Sequence, residues 1–119
     1  MSTGRIHPQA VISPAAKIGK DVEVGAFAVV GPHVELGDGC VLHPHAVIYG
    51  PAKFGARNVF HPFCVIGGDP QDYTFAGEHV ELQVGDGNIF REQVTVSKGT
   101  IKGGGITRIG NGNFFRSSC

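Results

Sequence analysis

The sequence has no tryptophan, a single methionine and no net charge, because ten lysine and arginine residues balance ten aspartate and glutamate residues. The lack of a basic excess argues against a nucleic-acid-binding protein. The longest apolar run, Ala26 to Val30, is far too short to span a membrane. No signal peptide is evident at the start, so three cysteines are expected to be free thiols. We therefore expect a cytoplasmic protein of one domain over residues 1–119, without a cofactor or a bound metal.

Glycine is the abundant residue, at 19 of 119 positions, against a usual share of about 7%. The glycines follow no Gly-x-y triplet, which excludes collagen. Glycine at this level, beside many valines and isoleucines, predicts short strands separated by frequent turns.

Large apolar residues recur at every sixth position, eleven times without interruption. These anchor residues are Ile6, Ile12, Ile18, Val24, Val30, Leu36, Leu42, Ile48, Phe54, Phe60 and Ile66. Small or β-branched residues stand four positions after most anchors, and glycine directly follows several. A period of six indicates a solenoid in which each unit contributes one strand and one turn. Anchors and small residues both point inward, since strand side chains alternate. We expect the glycines to supply a positive φ at the corners.

The repeat resembles that of the hexapeptide-repeat family, whose members fold as a left-handed parallel β-helix of triangular section. Three hexapeptides, or 18 residues, make one coil in that family. The resemblance implies an all-β fold of about five coils and part of a sixth, with a left hand that departs from the usual crossover rule. The alternative, an antiparallel sandwich, does not hold a strict register of six residues.

Sorting the anchors by coil defines three faces. Face one begins with Ile6, face two with Ile12 and face three with Ile18. The rhythm stops after Ile66 and resumes at Val84, then stops after Val96 and resumes at Ile109. Keeping the order of the faces requires one insertion of 12 residues and one of 7, both at the corner between faces two and three. We expect these two loops, Gly68 to His79 and Ser97 to Arg108, to stack and to form a binding site.

Several segments resemble the UDP-N-acetylglucosamine O-acyltransferase family of lipid A biosynthesis. They are IHPQAVISPAAKIG from Ile6, GPHVELGDG from Gly31, IGGDPQD from Ile66, AGE from Ala76, VGDGNIFREQVTV from Val84, and KGT followed by KGGGITRIG from Lys98. The resemblance runs from about Ile6 to about Phe115. It implies a homotrimer with active sites between neighbouring β-helices. The implied reaction transfers a 3-hydroxyacyl group from acyl carrier protein to the 3-hydroxyl of UDP-N-acetylglucosamine.

The resemblance also implies a set of substrate-binding residues. The set comprises Gln71, Asp72, Thr74, Arg91, Glu92, Ser97, Gly103, Gly104 and Gly105. Independently of the resemblance, the second loop combines three cations with a glycine triplet, and this combination suits an anionic ligand. Thr74 and Ser97 differ from the residues usual in the family. The family's catalytic histidine, a general base, would fall a few residues beyond Cys119. We therefore expect residues 1–119 to be a truncated, catalytically incomplete acyltransferase, or alternatively a non-catalytic trimeric binding or scaffold module.

The histidines leave a rival enzyme class open. His43 and His61 each follow a face-one anchor, precede a proline and lie one coil apart, so they should stack. Some hexapeptide-repeat proteins, the γ-class carbonic anhydrases, hold zinc between subunits with such histidines. The simpler interpretation is corner packing, with proline fixing φ. His33 and His45 should face solvent. Cys40 and Cys64 take inward positions on different faces, which predicts buried thiols and no disulfide.

Overall fold

A computed structural model describes residues 5–68, 81–97 and 105–116 of the chain. Sixteen short strands make up the regular structure of these ranges. They are β1 (Arg5–Ile6), β2 (Val11–Ile12), β3 (Lys17–Ile18), β4 (Glu23–Val24), β5 (Val29–Val30), β6 (Val34–Leu36), β7 (Val41–Leu42), β8 (Val47–Ile48), β9 (Ala52–Phe54), β10 (Val59–Phe60), β11 (Val65–Gly68), β12 (Glu81–Val84), β13 (Ile89–Phe90), β14 (Thr95–Ser97), β15 (Ile106–Ile109) and β16 (Phe114–Phe115). Helices are absent from the described ranges, so none of them offers a helix long and apolar enough to cross a bilayer.

Every third strand joins the same parallel sheet, which gives three sheets around one core. Face one has the order β1-β4-β7-β10-β13-β16, face two β2-β5-β8-β11-β14, and face three β3-β6-β9-β12-β15. In the uninterrupted coils each residue pairs with the residue 18 positions later, as Arg5 does with Glu23. The predicted assignment of anchors to faces is confirmed, including those after the insertions, since Val84 pairs with Phe54 and Phe90 with Phe60.

The core consists of the anchors and the small residues that alternate with them. From Val24 to Phe90 the anchors expose 6% of their surface or less. Four phenylalanine rings are in contact in the core, and three of them stack. The Phe60 and Phe90 ring centroids are 5.1 Å apart and those of Phe90 and Phe115 are 4.9 Å apart, with interplanar angles of 4° in both pairs. Phe54 meets Phe60 edge to face. Large rings are accommodated here because small residues occupy the neighbouring inward positions.

The glycines that follow the anchors have a different role from the one predicted. Only Gly67 among them has a positive φ, of 82°. Left-handed backbone instead occurs three residues after the anchors, mostly at ordinary residues: Asp21, Phe27, His33, His45, Arg57, Phe63 and Gln93. A Cβ on Gly37 would lie 2.5 Å from the carbonyl carbon of Gly55 in the next coil. The prediction was wrong because close contact between coils, not φ, excludes a side chain at most of these positions, although Gly110 has open space around it.

A column of asparagines closes the corner between faces three and one. Asn58 is fully buried, and its Nδ2 donates to the carbonyl oxygens of Gly55 (3.0 Å) and Gly85 (2.8 Å). Its Oδ1 accepts the backbone N–H of Asn88 at 2.8 Å. Asn88 repeats the arrangement one coil further, with the carbonyl of Gly110 and the N–H of Asn113, both at 2.8 Å. The column therefore connects successive coils through the buried backbone groups of the corner.

Candidate functional site

Both insertions leave and rejoin the β-helix at the corner between faces two and three. Gly68 at the end of β11 pairs with Ser97 at the end of β14, after a β-bulge that follows Ile66. On the far side, Glu81 at the start of β12 pairs with Ile106 at the start of β15. The roots of the two insertions thus lie in adjacent coils, about 4.8 Å apart, and the predicted stacking is confirmed at the roots.

The strands beside the insertions extend further than predicted. Gly68, Ser97, Ile106, Thr107 and Arg108 belong to strands, although the sequence assigned them to the loops. The reason is that β12 and β15 pair over four residues, from Glu81 with Ile106 to Val84 with Ile109. Parallel pairing with a neighbouring coil gives the backbone hydrogen bonds that a loop would leave to water. Arg108 is therefore fixed on face three rather than carried by a loop.

The predicted substrate-binding residues separate into two places. Ser97 and Gly105 border the second insertion at the corner between faces two and three. Gly105 is buried with φ 77°, and its carbonyl accepts the N–H of Glu81 at 2.8 Å. Arg91 and Glu92 lie at a different corner, between faces one and two. The remaining predicted residues lie outside the described ranges: Gln71, Asp72, Thr74, Gly103 and Gly104.

Arg91 and Glu92 form an ion pair, with Arg91 Nε 3.0 Å from Glu92 Oε1. Both side chains are roughly half exposed, so the pair adds little to stability. The pKa of Glu92 is lowered, mainly by a hydrogen bond from its own backbone N–H and then by the positive charge of Arg91. Glu92 is therefore a carboxylate at neutral pH and is no candidate for a general acid.

The stacked histidines lie directly below this ion pair. The rings of His43 and His61 have centroids 4.7 Å apart and an interplanar angle of 14°, as the spacing predicted. The two imidazoles therefore pack face to face at this corner. Among residues 5–68, 81–97 and 105–116, no three His, Cys, Asp or Glu side chains converge on a common point.

Partial burial lowers the pKa of His61 below its usual 6.5, and the charges of Arg91 and His43 lower it further, while Glu92 opposes the shift. Unfolded chains therefore bind a proton at His61 at a pH where the folded chain does not. The free energy of unfolding should rise with pH in the window just below 6.5, and the stabilisation should be lost as pH falls through the folded pKa.

We expect His61→Asn to reduce this dependence of stability on pH. The measurement is denaturant unfolding at several values between about pH 5 and pH 7. His33→Asn is the matched control, since His33 is exposed at another corner, with φ 62°, a conformation that asparagine tolerates. An equal loss of pH dependence in both variants would contradict the assignment to His61.

An open groove of about 710 Å³ runs along the outer side of face three, toward the corner with face one. Lys53, Gln83 and Arg108 follow one another along it, one per coil, because β9, β12 and β15 are paired in register. Glu35 also lines the groove, which therefore carries both signs of charge, with Lys53 and Arg108 as its cations. The sequence analysis included Arg108 among the cations of the second loop but did not single out Lys53. The sign of Lys53 in the sequence was its position directly before the anchor Phe54, which places it on the outer side of face three.

The cysteines lie where the sequence predicted. Cys40 and Cys64 are buried free thiols of the core. Burial raises the pKa of both thiols, that of Cys64 to about 12. Neither is therefore available as a thiolate nucleophile near neutral pH. Cys119 lies outside the described residues.

Comparisons with known proteins point to one group of enzymes. The family model "Bacterial transferase hexapeptide (six repeats)" matches residues 15–50. The acyl-[acyl-carrier-protein]–UDP-N-acetylglucosamine O-acyltransferase of Akkermansia muciniphila is 60% identical over 114 residues, which cover 96% of this chain and 44% of the relative. The enzyme of the same name from Xanthomonas axonopodis pv. citri is 56% identical over 113 residues, which cover 95% and 43%.

Solved structures similar to this chain belong to the same group of enzymes. The UDP-N-acetylglucosamine O-acyltransferase LpxA of Moraxella catarrhalis superposes with a TM-score of 0.90 at 40% identity, covering 92% of this chain and 43% of that one. These findings confirm the predicted left-handed parallel β-helix and the resemblance to this group of acyltransferases. The chain spans less than half the length of the relatives that it matches.

Proposed function

We propose that this chain, a hexapeptide-repeat β-helix of the UDP-N-acetylglucosamine O-acyltransferase type, provides the nucleotide-sugar side of an acyl transfer in lipid A biosynthesis. The supporting observation is that two insertions stack on one corner of the β-helix, in a chain 56% identical to an enzyme of that name. In this proposal residues 1–119 form one cytoplasmic domain that acts in a homotrimer.

The reaction defines what the site must hold. The 3-hydroxyl oxygen of the sugar attacks the carbonyl carbon of the 3-hydroxyacyl thioester, its proton passes to a general base, and the thiol of acyl carrier protein is released. Within this reaction we expect residues 1–119 to supply contacts to UDP-N-acetylglucosamine.

Each insertion is assigned its own contacts with UDP-N-acetylglucosamine. Gln71, Asp72 and Thr74 of the first insertion would contact the sugar nucleotide. Ser97 and the backbone N–H groups of Gly103, Gly104 and Gly105 would border its phosphates. Arg91 and Glu92 lie one face away from the insertion roots of their own chain. They would therefore serve the site of a neighbouring copy, across the cleft between two β-helices.

We expect Asp72→Ala to weaken binding of UDP-N-acetylglucosamine by about 1–3 kcal/mol, because a carboxylate that pairs with the sugar nucleotide would be lost. The measurement is calorimetric titration of the wild-type chain and the variant. Glu23→Ala is the control, since Glu23 is an exposed carboxylate of face one, remote from the insertions. Unchanged affinity in Asp72→Ala, or an equal loss in Glu23→Ala, would contradict the assignment of the site.

A further inference from the structure

Four basic side chains stand one above another at the corner between faces one and two. Each directly follows a face-one anchor, and the strand pairing of Phe60 with Phe90 and of Phe90 with Phe115 sets the register between their coils. Successive members are therefore about 4.8 Å apart along the axis. This set is named the basic column, and its members are His43, His61, Arg91 and Arg116.

Charges in two other columns of the β-helix have an opposite charge beside them. On the outer side of face three, Glu35 is in register with Lys17 in one adjacent coil and with Lys53 in the other. At the corner between faces three and one, Arg57 lies 4.0 Å from Asp86. Opposite charges in neighbouring strands add to stability, whereas like charges directly opposite one another are unfavourable.

The basic column does not alternate in sign. Arg91 has His61 in the coil on one side and Arg116 in the coil on the other. Its contact with Glu92 is made sideways, through Nε at 3.0 Å. Glu92 balances the charge of one arginine, and protonation of His61 would add a further positive charge. A row of like charges that the fold keeps together in this way indicates an anion bound across it.

The surroundings of the basic column are largely apolar. Residues that directly precede the anchors point outward, since strand side chains alternate. On faces one and two most of them are apolar, whereas on face three they are charged or polar. Beside the column they are Val41, Val59, Ile89 and Phe114, with Pro44 and Pro62 on the other side. Apolar neighbours lower the local dielectric constant and strengthen the attraction between the column and an anion.

We propose that the basic column binds an oxyanion of the phosphate class in front of His61, Arg91 and Arg116. Neither His61 nor Arg116 belongs to the substrate-binding set of the proposed function. Two sources share this chemistry, inorganic phosphate and the diphosphate of a nucleotide sugar. The proposal rests on the proposed function only if the anion is the diphosphate of UDP-N-acetylglucosamine.

The donors of the column suit a tetrahedral oxyanion. A guanidinium has five N–H donors, of which the contact of Arg91 with Glu92 takes one, at Nε. Arginine and phosphate form charge-assisted, frequently paired hydrogen bonds of about 2.7–2.9 Å. Donors about 4.8 Å apart in adjacent coils can each reach one phosphate at that distance. A single anion can therefore contact Arg91 and a neighbour in the column together.

Protonation of the imidazoles should strengthen the binding. The pKa of His61 is lowered by partial burial and then by the charges of Arg91 and His43, while Glu92 opposes the shift. These are the charged and titratable groups that act on His61 from the adjacent coils. A bound anion favours the protonated ring, so binding and protonation are linked. Affinity should therefore rise as pH falls below about 6.5.

NMR titration of the full chain with inorganic phosphate, at an ionic strength held constant with chloride, tests the site. We expect saturable shifts centred on the basic column. Arg91→Gln and Arg116→Gln should each weaken the affinity about tenfold, because each removes a charge-assisted hydrogen bond. Arg91→Lys keeps the charge and should lose less. Lys53→Gln is the matched control, a cation of face three in register with Glu35, and should leave the affinity unchanged.

The dependence on pH is measured with sulfate, whose charge is constant between pH 5 and pH 8, unlike that of phosphate. We expect the wild-type chain to bind sulfate about tenfold more tightly at about pH 5 than at about pH 8. His61→Asn should reduce this difference, since the ring that gains the proton is lost. His33→Asn should retain it, because His33 lies at another corner.

Titration with UDP-N-acetylglucosamine in the presence of phosphate separates the two sources. Competition between the two ligands identifies the diphosphate as the occupant, and independent binding identifies a separate phosphate site. Both results support an oxyanion site at the basic column. A chain that binds phosphate there, but does not bind UDP-N-acetylglucosamine, would refute the proposed function and leave the oxyanion site established.

Three results would overturn the proposal. The first is the absence of phosphate-induced shifts in the basic column up to about 20 mM phosphate. The second is a loss of affinity in Lys53→Gln equal to that in Arg91→Gln and Arg116→Gln, which would mean that phosphate responds to overall charge. The third is a wild-type affinity for sulfate that is the same at both pH values.

Discussion

Replacing Phe90 by alanine is expected to lower the free energy of unfolding by about 3–5 kcal/mol. Phe90 is fully buried, and its ring lies between those of Phe60 and Phe115, nearly parallel to both. The substitution removes two ring contacts and leaves a cavity in the centre of the β-helix. Backbone pairing fixes the distance between coils, so the flanking coils cannot close the cavity by moving together.

Denaturant unfolding followed by circular dichroism, at one fixed protein concentration, measures this loss. Phe90→Leu is the graded control, because leucine keeps most of the buried volume and should lose less than half as much stability. A loss below about 1 kcal/mol in Phe90→Ala would show that the core rearranges around the missing ring.

Asn58→Ala is expected to lower the free energy of unfolding by about 1–3 kcal/mol. It would leave the buried N–H of Asn88 without the partner that Asn58 supplies, and it would leave the carbonyl oxygen of Gly85 with only the backbone N–H of Gly55 at 3.3 Å. Each buried polar group that loses its partner costs about 1–3 kcal/mol. The carbonyl of Gly55 keeps one donor, the Cys40 thiol, whose Sγ lies at 3.2 Å.

The same unfolding measurement tests this prediction. Asn113→Ala is the matched control, because the Asn113 side chain is exposed and, among the described residues, its Nδ2 has a single long contact of 3.4 Å, with the carbonyl of Asn111. We expect a change within about 0.5 kcal/mol there. Similar losses in the two variants would mean that the buried hydrogen bonds of Asn58 add nothing beyond those of an exposed asparagine.

Much of the architecture was predictable because one rule governs every coil. The anchors alone placed Val84 on face three, Phe90 on face one and Ile109 on face three across both insertions, and the strand pairing confirms each placement. Such accuracy is possible in a solenoid because the position of a residue around the axis is set by counting. No long-range pairing has to be guessed.

The parts that were not predictable depend on contacts between coils. Gly37 follows an anchor, but only the neighbouring Gly55 backbone reveals why a side chain is excluded. Asn58 interrupts a series of small residues, and its hydrogen bonds to the next coil explain why. The outer valines were visible in the sequence, directly before the anchors. That they make the outer sides of two faces apolar, in contrast to face three, appears only when the three faces are compared.

The repeated pairing of each strand with those one coil away has a consequence for how the molecule folds. Apart from the insertions, almost every long-range contact spans a single coil, so no contact requires distant ends of the chain to meet. Folding can then start in one coil and advance to its neighbours, as in a one-dimensional chain of coupled units. We expect folding to begin in the coils of Phe60 and Phe90, because these two large rings are fully buried and stack on each other.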